Sequence, residues 1–361
     1  RHQLVALLED LVGTNRLTRS YAHLPLSTAD EVATGHTVGW FQEWLAHHEP
    51  GSAYWVPDRD HRARVPEVIV PALLIGGWHD LFLASQLEDY AALRAAGRDP
   101  HLTLGPWTHT APRLFGAAIG ESLAWFRAHV TGDRSGLRTD PVRLYVQGAG
   151  EWRDYAAWPP PAVPTPLRLH ADGTLSTDAP AASEPSVYSY DPADPTPGIG
   201  GPLLGQGAGP RNQKDVEARS DVLVFTSTAL TEDLEVIGEV SARIHLRSSE
   251  EHTDLLLRLC DVDAKGRSVN VCDGLQRLVP GRFPVAADGS REVEIAMWPT
   301  AHRFRAGHRL RVQVASGSHP RFARNPGTGD PLGTATRLVV QHQEILHDPD
   351  HPSALILPVA G

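Results

Sequence analysis

Cysteine, lysine and long apolar stretches are all scarce in this sequence. Cys260 and Cys272 are the only cysteines in 361 residues. Two thiols cannot build a disulfide framework, and they suit a reducing cytoplasm. Lysine is equally rare, with Lys214 and Lys265 against 31 arginines, and 43 acidic residues leave a formal charge of −10. That balance excludes the basic footprint expected of a nucleic-acid or anionic-membrane binder. The longest nearly apolar run, residues 68–78, is too short to span a bilayer, and Glu9 and Asp10 occupy the place of a signal peptide's apolar stretch. The expectation is a soluble, cytoplasmic protein with neither a nucleic-acid nor a membrane partner; self-association is left open. The first residue is Arg rather than Met, which suggests a processed chain or a fragment.

What is present falls into three zones without a repeat. Residues 1–60 are rich in Trp and His and show helical spacing in Leu4, Leu7, Leu8 and Leu11, and again in Val38, Phe41, Trp44 and Leu45. Trp40, Trp44, Tyr54 and Trp55 in this zone are expected mostly in the core. The run VIVPALLI at 68–75, closed by Gly76 and Gly77, reads as a strand buried on both faces. A helical pattern follows through Leu83, Leu87, Tyr90, Ala91 and Arg94, with Gly97 placed to end it, and HLTLG returns to extended character. Strand, helix and strand make a parallel βαβ unit. A further helix is expected over about 117–130. Beyond about residue 141 the period drops to two: Val240, Ala242, Ile244 and Leu246 alternate with polar residues, as do Leu310, Val312 and Val314. Such runs predict antiparallel strands with one wet face, stacked as a sandwich or jelly roll. The Pro/Gly-rich stretch at about 179–209 reads as an irregular crossing over its surface.

Two residues carry chemistry. Asp80 follows the first predicted strand and His109 follows the second, so both fall at the carboxyl edge of a parallel sheet, where ligands bind. A carboxylate on imidazole Nδ1 fixes the tautomer whose Nε2 can deprotonate a nucleophile. The order Asp then His matches an α/β-hydrolase, in which a serine in a G-x-S-x-G elbow precedes both. No such elbow precedes Asp80. The nearest match, residues 120–124 around Ser122, lies in a predicted helix after His109, and Ser316 and Ser318 lie in the β-rich part. Only two parallel strands are recognisable, fewer than a stable sheet needs. The nucleophile and the oxyanion hole are therefore expected from polypeptide outside this chain. Trp78 and Trp107 flank the pair and are candidate walls of the site. Nineteen histidines invite a metal reading, but no HExxH or CxxC occurs, and Asp254, Asp261, Asp263 and Asp273 read as polar ends of a hairpin rather than a calcium site. Residue 260 should oppose a residue near 269 in that hairpin, which leaves Cys260 and Cys272 unbridged.

Six motifs in order, GGWHDLF (76–82), GPWTH (105–109), YDPADPTPGIGG (190–201), DVLVFTS (221–227), LCDVDAKGRSVNVCDG (259–274) and HRFRAGHRLRVQVASGSHPRFARNPGTG (302–329), resemble the CocE/NonD family of serine hydrolases, which includes esterases, X-Pro dipeptidyl-peptidases and acylases. The resemblance implies an ester- or amide-cleaving enzyme without a cofactor, in which Asp80 is the triad acid, His109 the general base and Phe82 an aromatic of the acyl pocket. His79 stands where such hydrolases often carry Tyr, a change expected to bear on the pocket's polarity. The implied organisation is a partial helical cap (1–60), the C-terminal part of an α/β-hydrolase domain (61–138) and a jelly-roll, galactose-binding-like β-sandwich (139–361). The competing expectation, from the lack of a nucleophile, is a non-catalytic carbohydrate- or partner-binding module.

Overall fold

Strand β1 (Leu73–His79) and strand β2 (His101–Thr108) lie side by side in parallel, joined by the helix Leu83–Ala95, in a computed structural model that describes residues 16–361 apart from 50, 57 and 206. The Leu4–Leu11 pattern lies outside the described residues. The helix buries Leu83, Leu87, Tyr90 and Leu93. Their spacing makes one stripe facing the sheet, and Gly97, at φ +73°, ends the turn as expected.

The first strand starts later than its sequence suggests. Pro71 brings no N–H to a ladder, residues 68–72 form no ladder, and Ile69 and Val70 are 76% and 65% exposed. The two glycines, expected as the closing turn, sit inside β1. A Cβ on Gly77 would lie 2.2 Å from the Trp107 carbonyl oxygen. Only glycine permits so close an approach of β1 to β2, and the register breaks between Gly77 and His79, just before Asp80.

The sheet continues past the boundary that the change of period sets. Strand β3 (Val142–Val146) pairs in parallel with β2, and β4 (Glu151–Tyr155) runs antiparallel to β3. Val142, Leu144 and Val146 alternate with Arg143 and Tyr145, so β3 carries the half-buried pattern of a sandwich strand while completing the parallel sheet. By hydrogen bonding the first sheet thus reaches Tyr155, beyond the expected 138/139 border. The next helix begins at Pro112 and runs to Phe126, five residues earlier than expected, because proline is pre-set for a first helical turn.

The remaining strands build two antiparallel sheets. One contains β5 (Ala162–Leu169), β6 (Leu175–Ser176), β7 (Ser186–Tyr190), β9 (Leu234–Gly238), β10 (Ser241–Ser248), β13 (Arg291–Ala296), β14 (Thr300–Phe304), β16 (Gln341–Leu346) and β17 (Ala354–Ala360). The other contains β8 (Leu223–Thr226), β11 (Thr253–Val262), β12 (Ser268–Leu278) and β15 (Arg309–Ala315). Ile244, Leu246 and Leu355 of the first meet Leu257, Leu259, Val312 and Val314 of the second in one core. The alternation expected for β10 and β15 is observed, except that the polar faces are not wet throughout, His245 of β10 and Gln313 of β15 being buried. Gln313 donates to Glu217 Oε1 at 3.1 Å, because the segment after residue 198 lies across it. In the hairpin, Cys260 faces Asn270 and Leu259 faces Cys272, since a bulge between Leu259 and Cys260 shifts the register. Both thiols are buried and free.

The parallel sheet and the sandwich share a core in which Trp78, Trp158, Ile237 and Ala301 pack together. The Trp78 indole donates to the Tyr145 carbonyl at 2.7 Å, Gln147 N–H to Ala301 and Arg303 N–H to Gln147. His79 belongs to this joint and not to a pocket: it is buried and bonds the Gln147 Oε1 at 2.8 Å. Burial lowers its pKa from 6.5 to about 4. It is therefore neutral in the fold at pH 5–6, while in the unfolded chain it takes a proton below about 6.5. The unfolded state binds more protons in that window, so stability falls as the pH drops from 6.5 toward 4 and is unaffected by this group above it. At about 1.4 kcal/mol per pH unit the loss has a ceiling of about 3 kcal/mol. Denaturation midpoints measured between pH 7.5 and 4.5 should fall less steeply for His79→Gln, which retains a neutral donor; equal slopes would remove His79 from the acid response.

Candidate active site

Asp80 is held at the end of β1 by its own backbone and by the helix it precedes. Its N–H donates to Gly77 at 3.0 Å, and its Oδ1 accepts the Phe82 N–H at 2.9 Å. The carboxylate is buried and its direction is fixed before any partner arrives. His109 follows β2 in a tight turn, with Ala111 N–H bonded to the Thr108 carbonyl, before Pro112 opens the next helix. Its Nδ1–H donates to both carboxylate oxygens, at 3.1 and 3.2 Å. This assigns the proton to Nδ1 and leaves Nε2 as the acceptor, and no described residue hydrogen-bonds to Nε2. The imidazole is 39% exposed, so that nitrogen faces outward from a buried anchor.

Phe82 stands against the same ring, edge to face, with centroids 5.0 Å apart, and is 55% exposed. The structure thus brings Asp80, His109 and Phe82 to one surface. It does not bring Trp78 and Trp107 there: Trp78 packs against Trp158, and Trp107, also buried, against Trp152. Among the cap aromatics, Trp40 and Trp44 are exposed instead of in the core. The helix Gly39–Ala46 buries none of its residues, and its tryptophans meet edge to face, 4.8 Å between centroids.

The serines of the sequence do not complete this pair. Ser122 is in the middle of the helix Pro112–Phe126, Ser316 bonds to the Tyr188 hydroxyl at 2.8 Å, and Ser318 accepts from Arg258. Neither cysteine replaces them: burial pushes the Cys260 thiol up to about 12 and Cys272 well above its usual range, so both stay protonated. The four aspartates serve separate partners. Asp254 takes Arg277 and Asn325, Asp261 takes His302 and His308, Asp263 caps the hairpin turn, and Asp273 takes Arg258 and Arg321. Among the described residues no group of three or more His, Cys, Asp or Glu could hold a metal ion.

The sequence reading missed the walls around the pair that come from far along the chain. Leu81, the neighbour of Asp80, borders a cavity shared with Leu203, Trp298 and Arg321. A Cβ on Gly209 would touch the Thr108 side chain at 3.5 Å, so the same loop also reaches the neighbour of His109. Arg321 lies in the HPRF motif and Leu203 just after GIGG, but nothing in their local pattern shows what they face.

Residues 135–356 match the X-Pro dipeptidyl-peptidase C-terminal non-catalytic domain, and residues 6–111 match the X-Pro dipeptidyl-peptidase S15 family. Cocaine esterase of Rhodococcus sp. is 33% identical over an alignment covering 99% of this chain and 66% of that protein. A putative serine esterase of Mycobacterium bovis is 28% identical over 70% of the chain and 46% of its own length. Among solved structures, an aminopeptidase from a marine sediment Thaumarchaeota archaeon superposes with a TM-score of 0.82 at 23% identity, covering 93% of this chain and 62% of that one. An α-amino acid ester hydrolase gives 0.83 at 22%, with 94% and 64% covered. These two likenesses establish the fold. The chain spans about two-thirds or less of the length of each of these relatives.

Proposed function

The chain belongs to the CocE/NonD and X-Pro dipeptidyl-peptidase family of hydrolases, and on that premise we propose that Asp80 and His109 are the acid and the base of a Ser-His-Asp triad that cleaves an ester or amide bond. The observation that supports this most is the Nδ1–carboxylate contact of 3.1 Å at the carboxyl edge of parallel strands. His109 Nε2 takes the serine proton as the hydroxyl oxygen attacks the substrate carbonyl, and returns it to the leaving group. The acyl-enzyme is then hydrolysed by water that His109 deprotonates. Asp80 keeps the ring in the required tautomer and stabilises the imidazolium. Phe82 lines the acyl side. Trp78 and Trp107 act through the core that supports the site.

The serine and the oxyanion donors come, in this reading, from polypeptide beyond these residues. Among the described residues no serine hydrogen-bonds to His109 and no strand pairs with the second edge of β1. Phe115, Ile119, Leu123, Phe126 and Val130 form one exposed stripe on the helix Pro112–Phe126 and the turn after it. Each large apolar side chain left in water forgoes about 1.5–3 kcal/mol of burial, so a bare edge beside such a stripe fits a surface that a further segment covers. The β-sandwich fits a jelly roll, since the chain passes back and forth between its two sheets from β10 to β16. The match of residues 135–356 to a domain described as non-catalytic is what favours the second reading, a binding module. No helix among the described residues is long and apolar enough to cross a membrane, which is compatible with a cytoplasmic site of action.

Mixing this chain with 4-nitrophenyl acetate should give no stoichiometric burst, and the intact gene product, or an N-terminal segment added in trans, should restore turnover. A rapid burst from this chain alone would overturn the location of the nucleophile. Glycan binding by an intact product that hydrolyses nothing would favour the binding module.

A further inference from the structure

Beside Asp80 the parallel sheet, the 198–211 loop and the sandwich enclose a cavity of about 780 Å³. Its apolar wall is Leu81, Leu203, Leu204 and Trp298, and its charged groups are Arg211 and Arg321. No aspartate or glutamate is among its lining residues. Two observations give the charge a direction. Arg321 and Arg258 share a single carboxylate, Asp273, so this buried trio carries one excess positive charge. Arg211 forms no ion pair among the described residues, and its only side-chain hydrogen bond among them is a long one, 3.4 Å, to the Pro210 carbonyl.

The Arg321 guanidinium is also held in place. It stacks over Trp298 and Phe322, at 5.5 and 4.8 Å from the ring centroids, and its Nη1 is tied to Asp273. No described residue accepts from its Nε or Nη2. A pre-oriented guanidinium edge, a second arginine and an aliphatic wall recognise a carboxylate borne on an apolar body, because guanidinium pairs bidentately with carboxylate. We propose that this cavity is a specificity subsite for substrates or products carrying a carboxylate, and that Arg321 and Arg211 select it. The proposal rests on the hydrolase reading for its meaning, since Leu81 places the cavity beside Asp80 and the loop that borders it touches Thr108, the neighbour of His109.

Binding separates the two ideas because it needs no turnover. In calorimetric titrations of the intact gene product, 4-phenylbutyrate should bind at least about tenfold more tightly than 4-phenylbutanol, the scale of one charge-assisted hydrogen bond. Arg321→Gln and Arg211→Gln should each remove most of that preference while leaving the alcohol's affinity unchanged. Arg211 is exposed and its side chain makes no hydrogen bond to Asp273, so its variant keeps the test decisive should Arg321→Gln misfold. Equal affinities for acid and alcohol, or an unaltered preference in the Arg211 variant, would overturn the subsite. A preserved preference in a protein that cleaves no ester would instead sink the hydrolase reading alone.

Discussion

On the proposed triad, replacing His109 with Ala in the intact gene product is expected to lower kcat for an activated ester about ten-thousand-fold while KM changes little, and Asp80→Asn should approach the same loss. The two effects should be far from additive, because the residues act as one unit. The reason lies in the geometry of the pair. An imidazole with 39% of its side chain in solvent has no fixed direction of its own; here its Nδ1–H is received by a carboxylate that is buried and already bonded to the Phe82 N–H. An asparagine at position 80 can turn an N–H toward Nδ1, which moves the imidazole proton to Nε2 and abolishes the base. Steady-state kinetics with circular dichroism as a control for folding would measure this. Retention of activity within tenfold by both variants would remove the pair from the mechanism. Phe82→Ala should instead act mainly on KM and on the preference for large acyl groups.

How much of this was legible in the sequence depends on the distance over which each feature is determined. The βαβ unit and the pair at its edge are local: Leu83, Leu87 and Tyr90 repeat at helical spacing, and Asp80 and His109 each follow a strand by a few residues. Errors arose where a local pattern had two meanings. The apolar run at 68–75 is half exposed approach and half strand, because Pro71 interrupts it. The alternation of Val142, Leu144 and Val146 fits a sandwich strand and a third parallel strand equally well, and only the pairing with Leu102 and Leu104 decides. His79 could not be assigned to a pocket or to a joint without Gln147, 68 positions away. Arg321 was invisible for the same reason, since its role is set by Asp273, Trp298 and Leu81, which no spacing rule connects.

The largest loss of stability should come from Asp273→Ala. Asp273 is almost fully buried and Arg258 is fully buried; the aspartate's Oδ2 accepts from Arg258 Nε and Nη2 at 3.2 and 3.1 Å, and its Oδ1 from Arg321. Burial by itself would raise the pKa of this carboxyl, but the two guanidiniums outweigh that and keep it ionised. Truncation leaves two cations without their shared anion, one of them wholly out of water, with only Gln213 and Ser318 as remaining partners of Arg258. Breaking a buried pair in this way costs about 3–5 kcal/mol, a large part of the roughly 5–15 kcal/mol that holds a typical domain together. Urea denaturation should show that loss, and Arg258→Met introduced into the Asp273→Ala background should recover part of it by removing the stranded charge. A loss under about 1 kcal/mol would mean that water reaches the network and screens it. On the proposed subsite, the carboxylate that holds the sandwich's buried arginine is also the one that orients Arg321.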